Sequence, residues 1–312
     1  MSEVIRINAS KFNDYDLIVG IPRSGMLPAS MIALYMNKPL ASLDDWLDGK
    51  DISKGSTRKS KASFRNYQDA SKVLVVDDSV NSGGSLLKVK ERITPEQLKK
   101  VSFLAIYESS SGKFAFDFAL EKVERPRVFE WNIYHTSMAN DTLYDIDGVL
   151  CQDPLESEND DGIKYSEFLN KAVPLFIPTY KVKALVTNRL EKYRPQTEQW
   201  LARYGVQYEN LYMSNYDTKE QRQNSGDYIS HKANIYKKSD AILFIESCPK
   251  QAQGIASFTG KFVYCVDSNQ MYGPDSILRV IKKPSSYRYH AKRQLKKIPF
   301  FIEFVRWIRK NA

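Results

Sequence analysis

The sequence predicts an α/β protein with two domains, and three observations support this. Its 312 residues are about twice the length of one typical domain. Hydrophobic residues make up 42% and charged residues 27% of the chain, a balance that excludes global disorder and coiled coil. Short apolar, β-branched segments alternate with helical segments in two successive series. Such alternation is typical of parallel sheets covered by helices.

The first series contains four predicted strands and two predicted helices. Its strands are short runs rich in Leu, Ile and Val that end in polar or glycine residues, which is typical of buried parallel strands. The strands are predicted at 16–20, 72–78, 101–107 and 128–134. The helices are predicted at Met26–Met36 and Ser85–Arg92.

The second series repeats the pattern with different residues. Strands are predicted at 142–146, 182–187, 241–245 and 261–266, and helices near 195–204 and 249–257. We therefore expect two Rossmann-like domains with mainly parallel sheets, joined near residues 136–141. The predicted divisions are a first domain over 1–138, a second over 139–283 and a basic, amphipathic helical tail over 284–312.

The net charge of +9 is concentrated in the tail. From Lys282 onwards there are ten basic residues and one acidic residue, so the rest of the chain is neutral. Within 285–310 the cations alternate with large apolar side chains such as Phe300 and Trp307, a pattern that suits an anionic membrane surface. Packing of the apolar side on the second domain and binding of nucleic acid are the two alternatives, of which nucleic acid is disfavoured.

The sequence also favours a cytoplasmic location. Cys151, Cys248 and Cys265 are too few and too scattered for a disulfide framework or a zinc site. We find neither a signal peptide nor a run of about 18 apolar residues. The tail would then place the protein at the inner face of the cell membrane.

Residues 73–86, VLVVDDSVNSGGSL, combine a buried strand with two acids and a small-residue turn that opens a helix. Backbone N–H groups at such a turn can bind a phosphate, and adjacent carboxylates suit ribose hydroxyls. The string resembles the motif that binds 5-phosphoribosyl 1-pyrophosphate (PRPP) in type I phosphoribosyltransferases. The resemblance implies that PRPP is bound by Asp77, Asp78, Asn81, Ser82, Gly83, Gly84 and Ser85.

The loop after the first strand agrees with this resemblance. It contains Arg23, Ser24 and Gly25 at the place where that family binds pyrophosphate, and an arginine can pair with phosphate oxygens. The basic segment 49–66 stands where the family carries a mobile catalytic loop, with the candidates Lys54, Arg58, Lys59 and Lys61. One departure is Asn81, which replaces an aspartate common in purine phosphoribosyltransferases. Because an amide cannot accept a proton, purine salvage is disfavoured.

A second motif set follows the joint between the domains. Tyr144 to Leu150 contains two aspartates at the end of a strand, spaced so that both side chains lie on one side. With later segments it resembles motifs I to IV of haloacid dehalogenase superfamily phosphatases. The resemblance implies that Asp145 is the nucleophile and Asp147 the general acid and base. It also implies that Thr187 donates a hydrogen bond to the phosphate and that Lys232 stabilises charge. It implies Mg²⁺ bound by Asp145, the Ile146 carbonyl, Asp147 and Glu246.

Two features of this set bear on activity and substrate. Ser247 stands where the family often has a further acid, and Lys237 and Lys238 compete with Lys232 for the lysine role. The 39 residues between Asp147 and Thr187 and the 44 between Thr187 and Lys232 leave no room for a cap domain. A capless site admits a phosphate displayed on a large molecule.

Together the two motif sets resemble the dual-domain ribofuranosyltransferases of bacterial surface-polysaccharide assembly. The resemblance implies transfer of 5-phosphoribose from PRPP to a lipid-linked or oligosaccharide acceptor, followed by removal of the 5-phosphate. Two alternatives remain open. One is a nucleobase salvage transferase fused to a nucleotidase, and the other is a PRPP-sensing, RNA-binding regulator.

Overall fold

The computed structural model describes residues 1–53, 64–81, 83–109 and 116–273. The chain forms two compact units, Met1–Arg127 and Val128–Ala312. Among the described residues, no helix is both long enough and apolar enough to cross a membrane. The predicted tail lies outside the described residues, so its amphipathic helix stays a prediction.

The first unit is built around a parallel sheet. Its strands are β1 (Leu17–Gly20), β2 (Leu40–Ser42), β3 (Val73–Val80), β4 (Val101–Glu108) and β5 (Phe118–Lys122). They lie in the order β2-β1-β3-β4-β5, and every neighbouring pair is parallel. The helices are α1 (Ser2–Ile7), α2 (Met26–Met36), α3 (Leu43–Leu47), α4 (Gly84–Glu91) and α5 (Pro95–Leu98).

Burial explains why β1 and the first four residues of β3 are apolar. All four residues of β1 and the first six of β3 are buried. Alternate residues such as Leu17 and Val19 join a cluster with Trp46 of α3, while α2 packs on β1 and β3. In register, Gly20 at the end of β1 pairs with Val76 of β3. The loops that follow the two strands therefore start at the same edge of the sheet, where parallel sheets bind ligands.

The second unit has a sheet of six strands in its described residues. These are β6 (Thr142–Tyr144), β7 (Val182–Leu190), β8 (Tyr208–Ser214), β9 (Leu243–Glu246), β10 (Phe262–Cys265) and β11 (Gln270–Tyr272). The order is β11-β10-β9-β6-β7-β8, parallel except for the antiparallel pair β10 and β11. The helices are α6 (Ile163–Lys171), α7 (Arg194–Arg203), α8 (Lys219–Ser225), α9 (Tyr228–Lys238) and α10 (Pro249–Thr259).

The α/β class with parallel sheets is confirmed, and one predicted strand is wrong. Residues 128–134 form turns, and the last strand of the first sheet is β5. Ile133 and Tyr134 are instead buried in the core of the second unit. The apolar pattern of this segment thus reflects burial of individual side chains in turns. The predicted domain boundary at 138/139 stays a prediction, whereas the compact units divide at Arg127.

Candidate active sites

In the first unit, the loop after β1 lies close against β3. Ile21 N donates to the carbonyl oxygen of Val76 at 3.0 Å. A Cβ atom on Gly25 would lie 2.6 Å from the carbonyl oxygens of both Ile21 and Val76, so only glycine fits there. Arg23 is exposed and Ser24 is half-buried, so the two polar side chains of this loop are accessible at the sheet edge.

A hydrogen bond joins this loop to the acidic pair of the PRPP motif. Ser24 Oγ donates to Asp78 Oδ1 at 2.9 Å, across 54 positions of sequence. Asp77 and Asp78 are only 7% and 3% exposed at the end of β3. Burial, reinforced by the charge of Asp78, raises the pKa of Asp77 to about 7. The structure thus brings Ser24, Asp77 and Asp78 together in a poorly solvated acidic site.

The turn from β3 into α4 contains the remaining predicted PRPP residues. Gly83 caps the helix with a φ of +81°, a conformation that favours glycine, and Gly84 and Ser85 begin the helix. The first N–H groups of a helix lack intrahelical partners and can bind an anion. Asn81 accepts from Arg125 Nη2 at 2.6 Å, a partner that the sequence analysis missed. Ser82 and the loop residues Lys54, Arg58, Lys59 and Lys61 lie outside the described residues.

Replacing Asp77 with Asn should stabilise the first unit much more at pH 8 than at pH 5. Because the pKa of Asp77 is raised when folded, the native state holds the extra proton, and wild-type stability falls as pH rises from about 4 to about 7. An amide does not ionise and can still accept from Asp78 N. Urea denaturation should show a gain of about 2–4 kcal/mol at pH 8. The exposed control Asp69→Asn should change stability by less than about 0.5 kcal/mol at both pH values, and an equal gain for Asp77→Asn at both would contradict the assignment.

In the second unit, a buried lysine joins two buried carboxylates. Lys232 Nζ donates to Asp145 Oδ2 at 2.6 Å and to Glu246 Oε2 at 2.7 Å. The three side chains come from α9, from the residue after β6, and from the end of β9, and all are at most 7% exposed. Burial lowers the pKa of Lys232, but the two carboxylates outweigh burial and raise it above its usual range. The competing Lys237 and Lys238 are exposed at the end of α9.

Asp145 and Glu246 are held further by backbone N–H groups. Ile146 N donates to Asp145 Oδ1, and the amides of Ser247 and Cys248 donate to Glu246 Oε1. Burial raises the pKa of Asp145, an effect that Lys232 opposes and Glu246 reinforces. The result is a preorganised group with two carboxylates and one ammonium.

Asp147 does not join this group, because an arginine holds it. Arg189 Nη2 donates to Asp147 Oδ1 at 2.6 Å and Nε donates to Oδ2 at 3.1 Å. The Arg189 side chain is fully buried and also donates to Thr197 Oγ1. Arg189 belongs to none of the motifs in the sequence, although its position gives a signal. It lies only two residues after Thr187, at the same end of β7.

Thr187 and the Ile146 carbonyl are the remaining predicted groups of the second site. Thr187 is 1% exposed and its Oγ1 accepts from the backbone N of Arg189 at 3.2 Å, so the same residue that pairs with Asp147 also contacts Thr187. The carbonyl of Ile146, predicted to bind magnesium, is turned inwards, where it accepts from three backbone amides, those of Val149, Leu150 and Cys151. The structure therefore does not bring the Ile146 carbonyl into the site.

Asp153 is a further acid near this site that the sequence analysis missed. A Cβ atom on Gly148, which has a φ of +72°, would lie 2.8 Å from Asp153 Oδ2 and 2.5 Å from Ser247 Oγ. Burial, reinforced by Asp147, raises the pKa of Asp153. Gly148 thus allows the loop after β6 to approach both polar side chains closely.

The donor chemistry fits magnesium in part. Mg²⁺ prefers oxygen ligands, and Asp145 and Glu246 present carboxylate oxygens to one point, now filled by the Lys232 ammonium. Asp147 faces Arg189 instead. Among residues that the structure describes, no three His, Cys, Asp or Glu side chains are arranged to hold a metal ion. Asp145 and Glu246 are therefore the residues that would hold the ion.

Replacing Arg189 with Met should destabilise the second unit by about 2–4 kcal/mol, because it leaves the Asp147 carboxylate without its partner. Arg189→Lys should recover only part of this loss, since a lysine lacks the two-pronged geometry. Urea denaturation is the measurement, and the exposed Arg203→Met is the matched control, expected to lose less than about 1 kcal/mol. Equal losses for Arg189→Met and Arg203→Met would contradict a structural role for the Asp147 pair.

The family comparison covers the first of these two sites. Residues 2–139 match the phosphoribosyl transferase domain, so this part of the chain is a type I phosphoribosyltransferase domain. The orotate phosphoribosyltransferase of Sulfolobus acidocaldarius is 30% identical over 124 residues, which are 40% of this chain and 56% of that protein. That of Sulfurisphaera tokodaii is 33% identical over 106 residues, 34% of this chain and 50% of that protein. The chain spans about half the length of these curated relatives.

Solved structures similar to part of this chain include two further phosphoribosyltransferases. A purine phosphoribosyltransferase from Pyrococcus horikoshii has 18% identity and a TM-score of 0.28, covering 41% of this chain and 88% of that one. The Helicobacter pylori xanthine-guanine-hypoxanthine phosphoribosyltransferase has 20% identity and a TM-score of 0.31, and the match covers 42% of this chain and 85% of that one.

Proposed function

We propose that the chain is a bifunctional enzyme that transfers 5-phosphoribose from PRPP to a glycan acceptor and then removes the 5-phosphate, leaving ribofuranose. One observation carries this proposal. The chain has two separate groups of buried carboxylates, Asp77 with Asp78 in the first unit and Asp145 with Glu246 in the second. Each group lies at the carboxyl ends of strands, where parallel sheets place their ligands.

In the proposed first step, an acceptor hydroxyl oxygen forms a bond to ribose C1, the bond from C1 to pyrophosphate breaks, and the hydroxyl proton passes to the departing pyrophosphate. Asp77 and Asp78 would bind the ribose hydroxyls. The loop with Arg23 and Ser24 would hold the pyrophosphate, and the N-terminus of α4 would hold the 5-phosphate. Asn81 cannot accept a proton, which disfavours a purine and leaves the departing pyrophosphate to take the proton of the acceptor hydroxyl.

In the proposed second step, Asp145 attacks the phosphorus and the bond to the ribose O5 breaks, with Asp147 supplying the proton. Water then hydrolyses the aspartyl phosphate, and Asp147 receives the proton back. Lys232 and Thr187 would stabilise the phosphoryl oxygens. Magnesium would offset phosphate charge in both sites. In the first site it would bind together with PRPP, and in the second it would be held by Asp145 and Glu246.

The proposed acceptor is large, an oligosaccharide or a lipid-linked glycan. Between Gly148 and Lys181 the structure has one α-helix, α6, and a single 3-10 turn at Glu156–Glu158, so no cap domain lies between β6 and β7. Such a site admits a phosphate that is displayed on a large molecule. The basic tail would hold the protein at an anionic membrane surface on the cytoplasmic side.

A nucleobase transferase fused to a nucleotidase is the second candidate, because both curated relatives are orotate phosphoribosyltransferases. A PRPP-sensing regulator is disfavoured by the complete Asp145, Lys232 and Glu246 group, which a sensor does not need.

The test is incubation of the full chain with PRPP, Mg²⁺ and separate acceptors, namely orotate, hypoxanthine and a lipid-linked oligosaccharide. Pyrophosphate, inorganic phosphate and the mass of each acceptor are measured. We expect the oligosaccharide to gain a pentose without phosphate. A nucleoside formed from orotate or hypoxanthine would instead establish the second candidate, and PRPP binding without any product would favour the regulator.

A further inference from the structure

Two arginines lie at the edge of the first sheet where the PRPP motif ends. Both follow β5 in the chain, and neither belongs to the predicted site. Arg125 Nη2 donates to Asn81 Oδ1 at 2.6 Å, and Arg127 Nη1 donates to the carbonyl oxygen of Val80 at 2.9 Å. Val80 is the last residue of β3, and Asn81 is the next residue. The two guanidinium groups are therefore fixed on consecutive residues, just beyond Asp77 and Asp78.

Arg125 keeps its charge at this edge of the sheet. Within the described part of the chain, no acidic side chain forms an ion pair with Arg125, whose bonding partner is the neutral amide of Asn81. Burial, together with the neighbouring Arg125, lowers the pKa of Arg127, while Asp78 opposes this shift. A guanidinium remains protonated near neutral pH even so. Two like charges that repel each other would be stabilised by an anion between or beside them.

The identity of residue 81 decides whether this positive charge persists. An aspartate there would pair with Arg125 and neutralise it, whereas asparagine orients the guanidinium without cancelling its charge. Arg125 and Asn81 are exposed, so a ligand can reach them. A guanidinium presents its N–H groups as a planar fork that matches a carboxylate or a phosphate.

We propose that Arg125 and Arg127 form an acceptor subsite and that the first unit selects an acceptor carrying a carboxylate or phosphate group. The subsite lies at the end of β3, beside the ribose-binding acids, where the acceptor must approach the sugar. Asn81 is the positioning residue that holds Arg125 there. This inference depends on the proposed transferase function and adds a substrate class to it.

The experiment uses two pairs of probes that differ by one negative charge. The pairs are orotate with uracil and methyl glucuronide with methyl glucoside. Dissociation constants are measured by calorimetry on the full chain with PRPP and Mg²⁺, alongside pyrophosphate release. We expect the charged member of at least one pair to bind ten-fold or more tightly than its neutral partner. The pair that responds distinguishes a heterocyclic from a sugar carboxylate.

Variants test the arginines directly. Arg125→Gln should abolish the preference for the charged probe and change the affinity for PRPP by less than three-fold. Asn81→Asp should also abolish the preference for the charged probe, since its carboxylate would neutralise Arg125. Arg127→Lys, which keeps the charge, should retain most of the preference. The matched control is Arg92→Gln on the same unit, whose arginine pairs with Asp44 at the surface and should leave every value unchanged.

The outcomes separate this inference from the proposed function. If PRPP binds but charged and neutral probes bind equally, or none of the probes binds, the subsite is wrong while the PRPP site stands. A preference that survives in both Arg125→Gln and Asn81→Asp also overturns it. If PRPP itself does not bind to the wild-type protein, the proposed transferase function fails first.

Discussion

Replacing Asp145 with Asn should reduce phosphate release by about a thousandfold or more while ribosyl transfer continues. Asp145 is the carboxylate that Lys232 holds at 2.6 Å and that the proposed mechanism uses as nucleophile. An amide is a poor nucleophile, whereas the first site keeps its own acids, Asp77 and Asp78. Mass spectrometry of the acceptor should show pentose plus phosphate for the variant and pentose alone for the wild type.

A trapped phosphorylated product is the informative result, since simple loss of activity would not separate sequential chemistry from misfolding. The control is Asp240→Asn, which changes an exposed aspartate that pairs with Lys183 in the same unit. It should give the wild-type product. If the Asp145→Asn variant also gives an acceptor free of phosphate, the second unit acts on another substrate and the sequential scheme is wrong.

The strands that position both sites could be predicted from the sequence because they are buried. β1, β3, β6 and β9 are short apolar runs, and burial on both faces gives them a composition that loops rarely share. The edge strands β2 and β8 could not be predicted. β2 has only three residues, and β8 begins with five exposed or half-buried residues before two buried ones. Short or half-exposed strands leave little pattern in a sequence.

Motifs in the sequence locate the site residues themselves, but they do not identify the side chains that pair with them in the fold. The sequence places Asp145, Asp147 and Lys232 in one site, and the structure brings Asp145 and Lys232 into contact. It could not show that Asp147 pairs with Arg189, because that contact joins the loop after β6 to β7 across 42 positions. The Arg125 contact with Asn81 likewise spans 44 positions. Such long-range pairs depend on how loops return to the sheet, which no local pattern encodes.

The sequence shows where acidic residues stand, but it does not show how the fold shifts their pKa values. Adjacent aspartates at a strand end indicate a ribose site, yet the raised pKa of Asp77 follows from burial and from the neighbouring Asp78. Burial depends on the packing of the loop at Gly25 against β3. The sequence identifies the glycine, and only the fold shows that a Cβ atom there would collide with two carbonyl oxygens.

The double replacement Asp77→Asn with Asp78→Asn should reduce pyrophosphate release from PRPP by about a hundredfold or more and leave phosphatase activity intact. The two carboxylates are the groups available to ribose hydroxyls at the end of β3, and amides would lose the charge that suits them to magnesium and PRPP. Asn at position 78 can still accept from Ser24 Oγ, so the loop geometry should persist. Pyrophosphate release and hydrolysis of p-nitrophenyl phosphate are measured on the same preparation.

The control for this double variant is Asp48→Asn with Asp69→Asn, which removes the same charge from exposed positions of the first unit. It should keep both activities, because general charge effects at a surface are screened by salt. The two active-site acids act within one unit and the Asp145 group within the other, so their losses should be independent. Simultaneous loss of both activities in a variant that unfolds at the wild-type urea concentration would indicate one composite site and contradict the two-step scheme.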